Sequence, residues 1–213
     1  MFSNRIDAGK QLAVKLEKYA GKKSVLILAI PRGGLEIGYA IAEELKLPLS
    51  IIVTKKIPHP LDEELAVGAV GPNNSFSLNE FASDVPKQHI EQKVKELSSA
   101  IKAKYRNYLP KGKPPNVKGK TVILVDDGIA TGSTMLAAIQ LLRGQKAKKI
   151  IAAVPVIPSS AIKQFEKEAE ELVFIEAPVL FAAISLFYKE FPQVSDEQAI
   201  DYLKKAGKFA GKK

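Results

Sequence analysis

The sequence predicts an α/β protein built on a doubly wound, mostly parallel sheet flanked by helices. Three observations carry that expectation. Short, continuous apolar runs, "SVLILAI" at 24–30, "TVILVD" at 121–126 and "KIIAAVP" at 149–155, have the length and character of strands buried on both faces. The first run is broken by "PRGG" at 31–34, then followed by a helix-like segment and a further strand-like run, which is the order of a parallel crossover unit. The same alternation resumes over 121–176, and 213 residues suffice for one α/β domain with a full core.

Taken in order, residues 6–19 space Ile6, Leu12, Ala13, Leu16 and Tyr19 at helical intervals. The strand 24–30 and the turn 31–34 lead into a helix from Leu35, and "LSIIVTKKI" at 49–57 is expected as the next strand. In "ELAVGAVGPNNSFSLN", 64–79, two strand-like pieces flank Gly71-Pro72-Asn73-Asn74, the pattern of a hairpin or loop excursion. Residues 87–109 form a long polar helix with one apolar stripe of Ile90, Val94, Leu97, Ile101 and Tyr105. "PKGKPPNVKGK" at 110–120 reads as a solvated loop. Strand 121–126, helix 132–144, strand 149–155, helix 159–169 and strand 172–176 follow. A last helix, 195–206, starts from Ser195 as a cap with Glu197 in its first turn. The expected organisation is a single domain over 1–213, with its core at about 6–57 and 118–180, an excursion and long helix over 57–112, and a C-terminal appendage over about 181–213.

Composition narrows the chemistry. The chain has no cysteine, hence no disulfide framework, thiolate metal site or cysteine nucleophile, and only His59 and His89, which disfavours a histidine-based zinc site. No apolar run reaches the roughly 18–20 residues of a membrane span, and the N-terminus has no signal-peptide core, so a cytoplasmic location is expected. The net charge of +9 suits anionic ligands, although much of it is scattered lysine, as in "KAGKFAGKK" at the end.

The stretch "VILVDDGIATGST", 122–134, carries the most chemistry. Four aliphatic residues run into Asp126 and Asp127, two adjacent carboxylates at the end of a buried strand. Such a pair is costly unless something cationic or hydrogen-bonding sits on it. In an open parallel sheet, ligands bind beyond the carboxyl ends of the strands, where this pair falls. The following loop enters a helix, so its backbone N–H groups make a cradle for phosphate. Thr131, Ser133 and Thr134 add hydroxyl donors, and Gly132 lets the backbone approach closely. Carboxylates accept hydrogen bonds from a diol, so the stretch suits a ligand carrying both a diol and a phosphate. No G-x-x-x-x-G-K-[ST] occurs, which removes a Walker-type loop.

This stretch closely resembles the phosphoribosyl pyrophosphate (PRPP) motif of the type I phosphoribosyltransferases. The resemblance implies that Asp126 and Asp127 hold the ribose hydroxyls and act in catalysis, and that Ala130, Thr131, Gly132, Ser133 and Thr134 hold the 5′-phosphate. "AIPRGGLEIG", 29–38, resembles the family's pyrophosphate loop. There Arg32 would contact pyrophosphate oxygens through charge-assisted bonds, and Gly33 and Gly34 would present backbone N–H groups. A cis peptide is implied at Pro31–Arg32. Lys55 and Lys56, at the end of the next expected strand, are further pyrophosphate candidates. The region after them, with His59, Glu63 and Glu64, matches a flexible catalytic loop in position. The family also has a base-recognising hood; candidates here are the N-terminal segment with Arg5 and "SLFYKEFP" with Phe187 and Tyr188. The patterns "FSNRIDAGKQLA", "PRGG", "ELAVGAV" and "FPQVSDEQ" are those of a less-characterised branch of the family.

By this resemblance the chain is expected to be a Mg²⁺-dependent transferase of nucleotide metabolism. It would move 5-phosphoribosyl from PRPP to a nitrogenous base or amine and release pyrophosphate. Mg²⁺ would be held mainly through PRPP and water near Asp126 and Asp127 rather than by direct protein ligands. A homodimer is expected; a nucleic acid or membrane partner is not. Ala130 departs from the hypoxanthine-guanine branch, where this position resembles an aspartate that assists proton transfer, so a 6-oxopurine acceptor is disfavoured. The competing class is a PRPP-sensing regulator that binds RNA or DNA without catalysis, since fold alone does not fix function.

Overall fold

The computed structural model describes residues 1–109 and 111–209, apart from the side chain of Glu64. Pro110, at the head of the expected solvated loop, and residues 210–213 of the C-terminal segment lie outside the described residues. The elements run α1 (Arg5–Lys15), β1 (Val25–Ala29), α2 (Gly34–Leu45), β2 (Leu49–Ile51), β3 (Lys55–His59), β4 (Asp62–Val70), β5 (Phe76–Leu78), α3 (Lys87–Tyr108), β6 (Thr121–Val125), α4 (Ser133–Gly144), β7 (Lys149–Val156), α5 (Ile162–Glu168), β8 (Glu171–Glu176) and α6 (Asp196–Ala206).

Five strands form a wholly parallel sheet in the order β2-β1-β6-β7-β8. The apolar runs explain why both faces are covered. Ile27, Ile123, Val125, Ile151 and Ala153 point to one face, under α1, α2 and α6, together with Leu12, Ile41 and Leu203. Their neighbours Leu26, Leu28, Val122, Leu124, Ile150 and Val154 point to the other, under α4 and α5, with Ile139, Leu142 and Phe165. Each fully buried aliphatic side chain contributes about 1.5–3 kcal/mol relative to exposure. Truncating a central one such as Ile123 to alanine is expected to cost about 2–5 kcal/mol.

The chain winds from β1 outward to β2, then crosses back over β1 to β6 and continues to β8. The winding therefore reverses between β1 and β6, and a crevice opens beyond the carboxyl ends of those two strands. The turn 31–34 leaves β1 and the turn 126–132 leaves β6, so both motifs arrive at that crevice.

The structure corrects the single strand expected over 49–57. β2 stops at Ile51, and Lys55–His59 belongs to a second, antiparallel sheet of order β3-β4-β5. The physical cause is Tyr105 on α3. Its buried hydroxyl meets the Val53 amide at 3.2 Å, and the chain leaves the parallel sheet there. β3 is an edge strand, which tolerates Pro58. The excursion after it is built from regular hairpins: β4 pairs with β3 on one side and with β5 on the other, around the turn at Pro72–Asn74. The cap at Ser195 is present as a full capping box with Gln198.

Candidate functional site

The two turns are packed directly on each other. A Cβ placed on Gly33 would lie 2.1 Å from Asp127 Oδ2, and one on Gly34 would lie 2.9 Å from the Val125 carbonyl and 3.1 Å from Asp126 Cα. The glycines of "PRGG" therefore let the two turns touch. The Pro31–Arg32 peptide is cis. Gly34 is the first residue of α2, with Gly33 as its cap and no side chain bonded to the helix start.

Beyond the carboxylates, the second turn is open. Ala130, Thr131 and Thr134 are exposed, and the Thr131 and Ser133 hydroxyls lie 3.3 Å apart. Gly132 caps α4 in the left-handed region, at φ 75°, and no side chain caps the helix. Its Cβ would be 2.7 Å from Phe165, so both the backbone angle and the packing favour glycine. An uncapped helix start beside exposed hydroxyls leaves backbone N–H groups facing the crevice mouth without a side-chain partner.

Asp126 and Asp127 are distinguished by their surroundings. Asp126 Oδ1 accepts the Asp127 backbone N–H at 2.9 Å. Burial and the neighbouring Asp127 carboxylate push the Asp126 carboxyl well above the ordinary range. Asp127 is also raised by burial, with Arg5 opposing the rise. Arg5 Nε donates to Asp127 Oδ2 at 2.8 Å, and its Nη1 donates to the Pro192 carbonyl at 2.8 Å and lies 3.4 Å from Glu36 Oε2. The Arg5 guanidinium, 5% exposed, also lies 3.7 Å over the Phe191 ring. One carboxylate of the pair, Asp127, is thus met by a cation from far earlier in the chain.

Arg32 projects into the crevice, 42% exposed, with Nη1 3.8 Å from Asp196 Oδ1. The same Asp196 oxygen accepts the Tyr108 hydroxyl at 2.5 Å. Arg5, Arg32, Gly33, Phe191, Pro192 and Val194 line a cavity of about 340 Å³ beside the carboxylates. A larger cavity, about 850 Å³, lies between α3 and the 72–76 turn and is lined by none of the nominated residues.

Arg32, Gly33 and Gly34 on one turn and 126–134 on the other are therefore brought together. Lys55 and Lys56 are not at the end of a core strand. They open β3 in the second sheet, paired with Val70 and Ala69, and both are exposed. His59 lies in that strand as well, its Nε2 3.7 Å from Asp84. Tyr188 is buried, and its hydroxyl donates to the Asp127 carbonyl at 2.7 Å. Phe187 stacks on Phe181 at 5.8 Å.

Sequence reasoning places Arg5 with base recognition and misses it as the partner of Asp127, along with Glu36, whose Oε1 accepts the Tyr202 hydroxyl at 2.8 Å. One local signal is present in the chain. Asn4 caps α1 and puts Arg5 in its first turn, where the helix dipole disfavours a cation, so Arg5 needs a tertiary reason to be there.

Residues 3–184 match the phosphoribosyl transferase domain family. A Mycobacterium tuberculosis protein assigned by name to the phosphoribosyl transferases is 35% identical over 212 residues, covering 97% of this chain and 47% of its own length. The chain thus spans about half the length of the curated relatives it matches first. A ribose-phosphate pyrophosphokinase from Pyrococcus furiosus is 42% identical over 59 residues, 27% of this chain and 21% of that protein. Among solved structures, the TT1426 protein from Thermus thermophilus superposes with a TM-score of 0.85 at 30% identity, covering 96% of this chain and 98% of that one. With the domain matched over most of its length and both turns of its crevice in place, the chain belongs to the phosphoribosyl transferase family.

Proposed function

We propose that the chain binds PRPP with Mg²⁺ and transfers its 5-phosphoribosyl group to a nitrogenous base or amine, releasing pyrophosphate. The observation that carries the reading is the contact between the two turns at the switch point, where Gly33 lies against Asp127. That contact sets a cationic loop with Arg32 beside a diol-binding carboxylate pair and an open, hydroxyl-lined helix start. PRPP carries its pyrophosphate, ribose diol and 5′-phosphate in matching order.

In this reading Asp126 and Asp127 orient the ribose hydroxyls and stabilise the positive charge that develops on the ring as the anomeric bond to pyrophosphate breaks. Arg32 takes up the negative charge on the departing oxygens, exchanging its long contact with Asp196 for pyrophosphate. The cradle at 130–134 fixes the 5′-phosphate, so the anomeric carbon is held at a constant place. The adjacent carboxylates Asp126 and Asp127 are hard oxygen donors at the crevice, which suits a Mg²⁺ held chiefly by PRPP oxygens and water beside them. When bound, Mg²⁺ supplies neutralisation of the pyrophosphate charge. We place Lys55 and Lys56 outside the first contacts of this ligand.

The reading is tested by a screen of bases and amines for pyrophosphate release with PRPP and Mg²⁺. PRPP with Mg²⁺ should also raise the melting temperature, because a ligand of the native state stabilises it. No shift at millimolar PRPP would overturn the proposal. The same fold and family would remain.

A further inference from the structure

The paired carboxylates have unequal neighbours, and the difference comes from the two ends of the chain. Residues 2–5 and 187–192 run together: the Phe2 amide donates to the Phe187 carbonyl at 2.8 Å, and the Lys189 and Glu190 amides donate to Phe2 and Ser3 at 2.8 and 3.0 Å. The Phe2 and Tyr188 rings meet at 5.2 Å, and the Tyr188 and Phe191 rings at 5.0 Å. This clasp grips Asp127 twice. Tyr188 binds its carbonyl, and Arg5 binds its side chain. No comparable cation touches Asp126 among the described residues; its recorded partner is the Asp127 amide.

We propose that Arg5 is a positioning residue, which holds Asp127 in the orientation that receives ribose and ties that carboxylate to the C-terminal segment through Pro192 and Phe191. The inference rests on the proposed use of PRPP. Three features of the geometry support it. Arg5 is itself almost wholly buried, so its orientation is fixed by packing rather than by solvent. Its Nε bond leaves only one Asp127 oxygen, Oδ1, uncommitted to it. The oxygen it does hold, Oδ2, is also the one that Gly33 faces, so Arg5 and the pyrophosphate turn together fix the carboxylate plane. A carboxylate held this way offers a single oxygen to a diol, whereas a free one would rotate. The effect assigned to Arg5 passes through Asp127.

The test compares wild type, Arg5→Lys and Arg5→Met by calorimetric titration with three probes: PRPP with Mg²⁺, ribose 5-phosphate, and pyrophosphate with Mg²⁺. Loss of Arg5 is expected to weaken ribose 5-phosphate by about tenfold or more while changing pyrophosphate affinity by less than about twofold. Arg5→Lys should recover part of the ribose affinity, because it restores the charge without the planar fork. A scaffold role would lower the melting temperature and leave both affinities of the folded fraction alike. If Arg5→Met does not fold, Arg5→Lys decides: unchanged ribose 5-phosphate affinity in that folded variant overturns the inference. A wild type that binds no PRPP removes the functional reading and the inference with it. A wild type that binds PRPP beside variants that bind ribose 5-phosphate equally well removes the inference alone.

Discussion

At the carboxyl ends of the strands, one guanidinium touches only one of two adjacent carboxylates; at the amino ends, one carboxylate is met by two ammonium groups and a phenol. Glu171, at the start of β8, lies 2.7 Å from Lys18 Nζ and 2.8 Å from Lys149 Nζ, and accepts the Tyr19 hydroxyl at 2.5 Å. Burial pushes its carboxyl up, but Lys149, Lys18 and Tyr19 outweigh burial and hold it down at about 2. Lys149 answers with a value raised to about 12, chiefly by its bonds to Glu171 and Tyr19. Asp126 and Asp127 go the other way, both raised by burial. The same side-chain chemistry is electrostatically satisfied at one end of the sheet and left wanting at the other. A scaffold gains nothing from an unsatisfied pair, whereas a diol and a developing cation would complete it.

The sharpest way to break this comparison is to exchange acid for amide at each end. Under the proposed function, replacing Asp126 and Asp127 together with Asn is expected to lower single-turnover pyrophosphate release by about 10²–10³-fold, because the charges matter most in the transition state. The single variants separate their stabilities. Asp126→Asn should raise the melting temperature at pH 7. A raised folded pKa means the wild type loses stability as pH rises above the unfolded value through the folded one, and the amide removes that loss. The gain should shrink as pH falls toward about 4. Asp127→Asn should raise the melting temperature less or lower it, because burial is opposed there by Arg5, whose main bond the amide weakens. Equal shifts in both singles would refute the asymmetry between them.

Glycines supply the next largest effect. Gly33→Ala forces a Cβ into Asp127 Oδ2, with a cost of about 1–3 kcal/mol and a displaced carboxylate. Gly144, ending α4 toward the amino ends of the strands, has nothing within 4 Å of a built Cβ, and Gly144→Ala should be neutral or stabilising by about 0.4–1 kcal/mol. Thermal melts of both variants decide whether close packing is confined to the crevice.

The parts of this arrangement legible in the sequence are those set by short-range pattern. Aliphatic runs such as 24–30 and 121–126 announce strands buried on both faces, and strands of that kind imply helices on both sides. The turn after 121–126 is legible because paired carboxylates and a small, hydroxyl-bearing stretch follow a buried strand, whereas the turn 31–34 is picked out by its resemblance to the family's pyrophosphate loop. What short-range pattern does not carry is long-range pairing. A run such as "LSIIVTKKI" does not show that a tyrosine on α3, more than fifty residues later, takes the Val53 amide and ends the strand. Pattern alone therefore puts Lys55 and Lys56 on the wrong sheet. Arg5 and Asp127 are 122 residues apart, so their pairing is hidden for the same reason. Its local trace is a cation at the wrong end of a helix.

A smaller effect tests the satisfied end. Glu171→Gln should destabilise the protein by about 1–2 kcal/mol at pH 7, after allowance for solvent screening of this partly exposed cluster. A depressed folded pKa gives stability that is present above the unfolded value near 4.5 and is lost as pH falls through about 2. The difference between variant and wild type should therefore shrink across that window, opposite in sign to the Asp126→Asn difference. PRPP affinity should not change. A loss of PRPP affinity in Glu171→Gln would mean that the two ends are coupled.

The remaining tests lie within the crevice itself, act on ligand affinity rather than on stability, and ask whether its two turns are separate anion sites. Arg32 is half-exposed, and Asp196, 3.8 Å from its Nη1, is half-exposed too, so removing Arg32 does not strand that carboxylate in a buried site. Arg32→Ala should therefore spare stability and weaken pyrophosphate by about 1.5–3 kcal/mol, the worth of a charged hydrogen bond. Ribose 5-phosphate, which the proposed function holds at the other turn, should bind almost as before. Thr131→Val keeps the shape of the side chain and removes one exposed hydroxyl, which contacts Ser133 at 3.3 Å. It should weaken ribose 5-phosphate by about 0.5–1.5 kcal/mol and leave pyrophosphate alone. The inequality between the two losses is itself informative: a guanidinium meets a charged ligand with charge, whereas a hydroxyl in a cradle of backbone N–H groups is one donor among several. Titrating each variant with each ligand gives four affinities. Two diagonal losses mean that the turns act separately, with Gly33 and Asp127 as their point of contact. Equal losses of both ligands in either variant would mean that the turns form one undivided anion site.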